Sequence, residues 1–328
     1  MGSTAPWGGS VGNVWRVFPL PGRRSLPILK GIMPQKSRLK DTFPCHPYEK
    51  NPGILVCWHD AMGDLAKDEA HHHDDDDADQ FETHQLNAWR NLFYHKQFQS
   101  IIQSAVPKGS PLLEIGAGSG VDAKVLVQDH PLTITDVSPA TLDRLSQWLR
   151  GPDIFFIAAD GQFLPFEDHQ FGAVYMAATF HHFEDPQKAT AECYRVLRKD
   201  GIIAIAVEPN ATYFRPLKRF QNVLYRLTHT DPEHISHADA EMEGFRKSDF
   251  EHIFDSDQWT DRRIRPMWFV AGWIHYFLEF LFRAFRLKKR IILPLWLEKG
   301  IVAFDEVFFR IPGMKYFCWH WIVSAKKR

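Results

Sequence analysis

From about residue 80 onward the chain alternates short apolar runs with amphipathic stretches, the order expected of repeated strand–helix units. Leu112, Leu113 and Ile115 form a run of the kind that fills a buried parallel strand, and three glycines and a helical pattern over 121–127 follow it. Further apolar runs occupy 132–136, 154–159, 171–178 and 202–207. Between them Ser138-Pro139 opens a helix as N-cap and first-turn proline, and 186–197 reads as another helix, broken by Lys199-Asp200-Gly201. Upstream, Phe81, Leu86, Trp89, Leu92, Phe93, Phe98 and Ile101 give a helix over 80–105 one buried face. Downstream, Ser248 reads as the N-cap of a helix, 262–268 as a sixth strand and 316–325 as a seventh. The pattern predicts an α/β fold over 80–328: a doubly wound seven-stranded sheet, with a helical insertion at about 270–309 before the last strand.

Composition adds little to this until it is read locally. Hydrophobic residues make up 45% and charged residues 24% of 328, and the formal net charge is −1, so nothing marks nucleic acid as a partner of the whole chain. Residues 266–328 differ: eleven Lys/Arg stand against four Asp/Glu, with 16 aromatics in 63 residues. Trp268 to Phe282 is apolar almost all round, and Arg283, Arg286, Lys288, Lys289 and Arg290 follow. That composition fits a helix docked on a peripheral membrane surface, or one capping the site or a dimer face; it is too short for a span.

The first 40 residues are basic, without an acid, and rich in glycine and proline, which predicts a disordered tail. A transit peptide and a start at Met33 are alternatives there. Residues 41–79 read as a small hairpin module and an acidic linker, His71 to Asp79. Cys45, His46, Cys57 and His59 lack the paired spacing of a zinc site, so no metal is expected. Four scattered cysteines point away from a disulfide scaffold and toward reducing cytoplasm.

The candidate chemistry lies in 112–120. A dinucleotide fingerprint needs G-x-G-x-x-G, but Val121 stands where its last glycine would be, which disfavours a NAD-dependent oxidoreductase. What stands here is Gly116-Ala117-Gly118-Ser119-Gly120 preceded by the acid Glu114, and it resembles motif I of the class I S-adenosylmethionine-dependent methyltransferases. Asp136, 20 residues past Gly116, Asp160-Gly161 and Thr179-Phe180-His181-His182 extend the likeness over 80–210 to the ubiquinone/menaquinone-biosynthesis type. The resemblance implies a Rossmann-like methyltransferase fold with S-adenosylmethionine as cofactor. It places Glu114 at the methionine end, Gly116, Ala117, Gly118 and Gly120 in the turn, Asp136 on the ribose, and Asp160 and Gly161 at the adenine.

His181 and His182, after the fourth strand, are the candidate catalytic bases, with substrate orientation as their other role. Glu208 is a weaker candidate for substrate contact. The expected acceptor is a small hydrophobic or lipid-linked molecule. Thr179-Phe180-His181-His182 is not the Asn/Asp-Pro-Pro-aromatic segment of enzymes that methylate nucleobase amino groups. A catalytically silent binding protein and a protein methyltransferase remain the other readings, and oligomeric state is not legible.

Overall fold

A computed structural model describes residues 39–74, 88–229, 243–255, 257–285, 287 and 291–328. The tail expected over 1–40 lies outside these except for Leu39 and Lys40, as do 75–87 and Arg286, Lys288, Lys289 and Arg290. In chain order the elements are β1 (His46–Pro47), β2 (Ile54–Val56), α1 (Asp64–Asp74), α2 (Trp89–Ala105), β3 (Leu112–Ile115), α3 (Ala123–Leu126) and β4 (Leu132–Asp136). Then come α4 (Pro139–Ser146), β5 (Ile154–Ala158), β6 (Phe171–Ala177), a 3-10 turn (Phe180–His182), α5 (Pro186–Val196) and β7 (Leu197–Pro209). The chain ends with α6 (Ala211–Lys218), α7 (Gln221–Thr228), α8 (Lys247–Ile253), β8 (Trp259–Met267), α9 (Val270–Ala284), α10 (Leu295–Phe308), a 3-10 turn (Met314–Phe317) and β9 (His320–Lys327).

The sheet runs β1-β2-β5-β4-β3-β6-β7-β9-β8, nine strands rather than the seven expected. Seven of them are the predicted set, parallel from β5 to β7, with β9 antiparallel between β7 and β8. The two extra strands are the predicted N-terminal hairpin, which does not stand apart: β2 pairs in parallel with β5, Ile54 opposite Phe156 and Val56 opposite Ala158. The order reverses between β3 and β6, so the crevice of this doubly wound sheet opens at their carboxyl ends.

Hairpin register also overturns the expectation of four reduced cysteines. His46 faces Val56 and Pro47 faces Leu55, so Cys45 falls opposite Cys57; the two form a disulfide with their Cα atoms 4.2 Å apart. Cys193 and Cys318 are free and buried. His71 to Asp74, expected to begin the acidic linker, instead complete α1, whose Glu69 and Ala70 are buried; the rest of that linker lies outside the described residues.

Successive strand residues face opposite cores, as the period of two requires. Leu112, Ala173, Tyr175 and Ile202 meet Phe98, Ile102, Leu145 and Ala271, whereas Leu113, Val174, Met176 and Ile203 meet Cys193, Val196, Phe250 and Phe254. Each fully buried Leu, Ile, Val or Phe contributes about 1.5–3 kcal/mol, which is why these strands read as continuous apolar runs. The predicted helical insertion consists, among the described residues, of α9 and α10. Its α10 is tied to α2 by a buried pair, Arg90 with Glu298, and buried Asp305 accepts from the N–H groups of Phe269, Val270 and Ala271 at 2.9, 2.9 and 3.1 Å, capping α9. Helix α8 begins at Lys247, so Ser248 lies inside it; Asp249 accepts from the Arg246 N–H at 2.7 Å instead.

Candidate functional site

Glu114 lies near the end of β3, buried, opposite Tyr175 of β6. Burial pushes the Glu114 carboxyl well above the usual range, nearby Asp122 adds to this, and the Tyr175 hydroxyl opposes it. Its Oε2 has no hydrogen-bond partner, and a buried acceptor left so is costly unless a ligand supplies a donor. Tyr175, raised well above its ordinary pKa by burial and by Glu114, was not singled out in the sequence; only the strand register brings it here.

The turn that follows needs its glycines. Gly116, Gly118 and Gly120 have φ of 66°, 45° and 63°, a region other residues enter at a cost. A Cβ at Gly116 would collide with the Thr179 side chain, and one at Gly120 with Leu145 at 2.5 Å. Ala117 is buried and its N–H donates to the Thr135 carbonyl at 3.1 Å. The helix expected after the turn is a single turn, α3, so peptide dipoles contribute little; α2 braces the turn instead. Its His95 and Gln99 bond the buried Asp122 carboxylate at 2.9 and 2.8 Å.

Asp136 ends β4, and its two oxygens accept from Gly118 N–H at 3.1 Å and Ser138 N–H at 3.0 Å, so the glycine turn and this acid are in direct contact. Ser138 caps α4 as predicted, accepting from Thr141 N–H at 3.0 Å. Asp160 follows β5, buried, accepting from Gln162 N–H at 2.8 Å, its pKa raised mainly by burial. A Cβ on Gly161 would come within 2.7 Å of the Phe183 ring, so glycine lets the loop after β6 close against the loop after β5.

His181 and His182 sit in the 3-10 turn after β6, their ring centroids 4.2 Å apart. The Thr179 hydroxyl, just before, is shared between the carbonyls of Ala177 at 3.0 Å and Gly116 at 3.2 Å, which brings this turn against the glycines. Glu208 is the organising group, in a role the sequence reading did not foresee. Fully buried, it accepts from the N–H groups of Thr179, Phe180 and His181 at 3.2, 2.9 and 3.1 Å, and stands 3.0 Å from His181 Nδ1. It is aimed there by a bulge in β7, where the register with β9 slips between Ile205 and Glu208 and Val207 takes a φ of 60°. A β-branched residue in that region is strained, and such strain clusters where function fixes the backbone. Beyond this turn, His320 is wholly buried and held down to a pKa of about 3 by burial, its Nε2 2.7 Å from the Tyr276 hydroxyl of the insertion.

The predicted site residues therefore share one edge of the sheet: Glu114 and the glycines after β3, Asp136 after β4, Asp160 and Gly161 after β5, the histidines after β6. The orphaned Glu114 oxygen and the space that the glycines keep clear fit an S-adenosyl cofactor. An open groove of about 740 Å³ lies elsewhere, between α2 residues such as Trp89 and Lys96 and Arg265 of β8. Among the described residues no cluster of three or more His, Cys, Asp or Glu could hold a metal ion, and the sulfurs of Cys45 and Cys57 are joined to each other.

Residues 113–205 match the family described as a methyltransferase domain. A demethylmenaquinone methyltransferase of Chlamydia pneumoniae is 36% identical over 115 residues, 34% of this chain and 50% of that protein. A chloroplastic 2-methyl-6-phytyl-1,4-hydroquinone methyltransferase of Oryza sativa subsp. japonica is 25% identical over 164 residues, 49% and 45% of the two chains. The chain spans about half the length of these curated relatives. Among solved structures, phosphoethanolamine N-methyltransferase 2 of Haemonchus contortus, in complex with S-adenosyl-L-methionine, superposes with a TM-score of 0.47 at 15% identity, covering 76% of this chain and 60% of that one. Over residues 113–205 the chain is therefore similar to the methyltransferase domain family, and the curated relatives it matches are methyltransferases.

Proposed function

We propose that the whole chain transfers a methyl group from S-adenosylmethionine to a small, hydrophobic or lipid-linked acceptor. The observation that carries the reading is the convergence of the Glu114–glycine turn, Asp136 and Asp160 with a histidine pair at one sheet edge. When bound, the cofactor supplies an electrophilic methyl group on a sulfonium, and the displacement is in line, so the protein's work is alignment. Glu114 would hold the methionine end, with Gly116, Ala117, Gly118 and Gly120 shaping the turn, Asp136 the ribose hydroxyls, and Asp160 with Gly161 the adenine side. His181 would take the acceptor's proton at Nε2, because Glu208 beside Nδ1 favours the proton on that nitrogen. His182, next to it, is the second candidate for this proton or for orienting the acceptor.

The relatives named above act on demethylmenaquinone and on 2-methyl-6-phytyl-1,4-hydroquinone, which supports an apolar acceptor. A lipid extract incubated with the chain and S-adenosylmethionine should yield a species heavier by one CH2 unit, together with S-adenosylhomocysteine. Cofactor binding without any such product would favour the silent binding protein, and product only on added protein would favour a protein acceptor.

Peripheral membrane docking by the insertion belongs to the same proposal. No helix among the described residues is long and apolar enough to cross a membrane. Helices α9 and α10 nonetheless leave Trp273, Phe277 and Trp296 exposed, Trp296 at 75%, with Phe285 and Ile292 exposed in the loop between them. The basic cluster of Arg286, Lys288, Lys289 and Arg290 falls in this same loop of the sequence. Each basic residue near an anionic surface contributes about 1 kcal/mol and is screened by salt. Replacing those four by glutamine should abolish sedimentation with anionic vesicles at low salt and leave cofactor binding unchanged. A parent chain that ignores vesicles at low salt would make the insertion a cap or a dimer face.

A further inference from the structure

The cradle and the histidines all come from residues after 110, yet the N-terminal segment 57–70 crosses the same strand ends. The Trp58 indole donates to the Val137 carbonyl at 3.2 Å, one residue past Asp136. The His59 ring stacks on Phe163, three residues past Asp160, with centroids 4.6 Å apart and planes inclined by 7°. Gly63 lies so close to the Glu184 carboxylate that a side chain there would collide with it. The start of the segment is held as well: Cys57 donates its N–H to the Ala158 carbonyl at 2.8 Å, and its sulfur is bonded to Cys45.

At the far end of the segment, Glu69 of α1 is buried, 4% exposed, with Oε2 3.0 Å from Nδ1 of His182. A glutamate on a buried helix face is costly unless it is paired. The pair meets as an ion-pair contact rather than as an aligned hydrogen bond. His182 keeps a fifth of its side chain exposed while Glu69 does not, so the carboxylate stands behind the ring, on the protein side. The placement parallels that of Glu208 at His181 in distance, although Glu208 makes a hydrogen bond and Glu69 a charge contact. Two neighbouring imidazoles each have a buried carboxylate at Nδ1, one reaching in from β7 and the other from α1.

We propose that Glu69 is a positioning residue of the transfer site, orienting His182 through Nδ1, and that segment 57–70 is a wall of that site. A negative charge 3.0 Å from Nδ1 disfavours a lone pair there, so it favours the tautomer with the proton on Nδ1 and leaves Nε2 as the basic nitrogen, the state useful for accepting a proton or a hydrogen bond from the methyl acceptor. The inference rests on the proposed transfer reaction for its purpose, but its geometry can be tested without turnover.

The full chain, labelled with 15N-histidine and saturated with S-adenosylhomocysteine, reports the His182 tautomer by NMR at a pH about two units above the ordinary histidine pKa. The parent and Glu69→Asp, which keeps the charge, should show His182 mainly as the Nδ1–H tautomer. Glu69→Gln should shift it to a mixture, with the dissociation constant for S-adenosylmethionine changed less than twofold. In the lipid-extract assay Glu69→Gln should lower kcat about tenfold with KM for the cofactor unchanged. An unaltered His182 signature in Glu69→Gln, or an altered one accompanied by loss of cofactor binding, would overturn the proposal in favour of a packing role. A parent without turnover would remove the transfer reading alone, since the tautomer comparison still decides the place of Glu69.

Discussion

Gly118→Val is expected to abolish S-adenosylmethionine binding while the domain stays folded. Gly118 has a φ of 45° and donates its N–H to Asp136 at 3.1 Å. A β-branched residue resists that backbone, at a cost of about 1–3 kcal/mol, and its side chain would stand in the turn that admits the cofactor. The strain is local to a turn after β3. Isothermal titration calorimetry should therefore show no heat, while circular dichroism keeps the parent spectrum and the melting temperature falls by a few degrees. Parent-like affinity in a folded Gly118→Val chain would mean that the cofactor lies elsewhere.

The second large effect is expected at Glu208. Glu208→Ala leaves three N–H donors of the turn after β6 without their acceptor and strips His181 of its carboxylate. A buried donor left unpaired costs about 1–3 kcal/mol; because only the Phe180 donor is fully buried and the three share one loop, which can relax, the combined loss should be about 3–5 kcal/mol. Urea denaturation would read this directly. Glu208→Gln retains the shape and one accepting oxygen, so it should stay folded and bind the cofactor, yet lose most turnover because its NH2 cannot serve the donors on its side. A Glu208→Gln enzyme with parent turnover would reduce Glu208 to a loop anchor.

What could be read from the sequence follows physical range. Strands β3 to β6 were legible because they are buried on both faces and so appear as apolar runs, whereas β8, at the sheet edge, is mostly exposed; Asp136 and Asp160 were legible because they end such runs, and Glu114 because it is an acid just before the glycine turn. The hairpin strands, two and three residues long, carry too little pattern for their pairing with β5 to be foreseen, although the hairpin itself was. The Cys45–Cys57 bond depends on that same register, and cysteine spacing alone does not encode it. Glu208 was visible as an acid at a strand end, but its grip on the turn depends on the bulge at Val207, a one-residue slip that no local propensity announces. Glu69 and Tyr175 lie outside every motif. Their roles arise from contacts with His182 and Glu114 that exist only once the chain has folded.

The central claim is that this sheet edge binds S-adenosylmethionine. Calorimetry of the full chain with S-adenosylmethionine, S-adenosylhomocysteine and NAD in parallel tests it most directly. The account predicts saturable one-to-one binding of the first two, lost in Gly118→Val, and no heat with NAD; saturable binding of NAD with none of S-adenosylmethionine would contradict it.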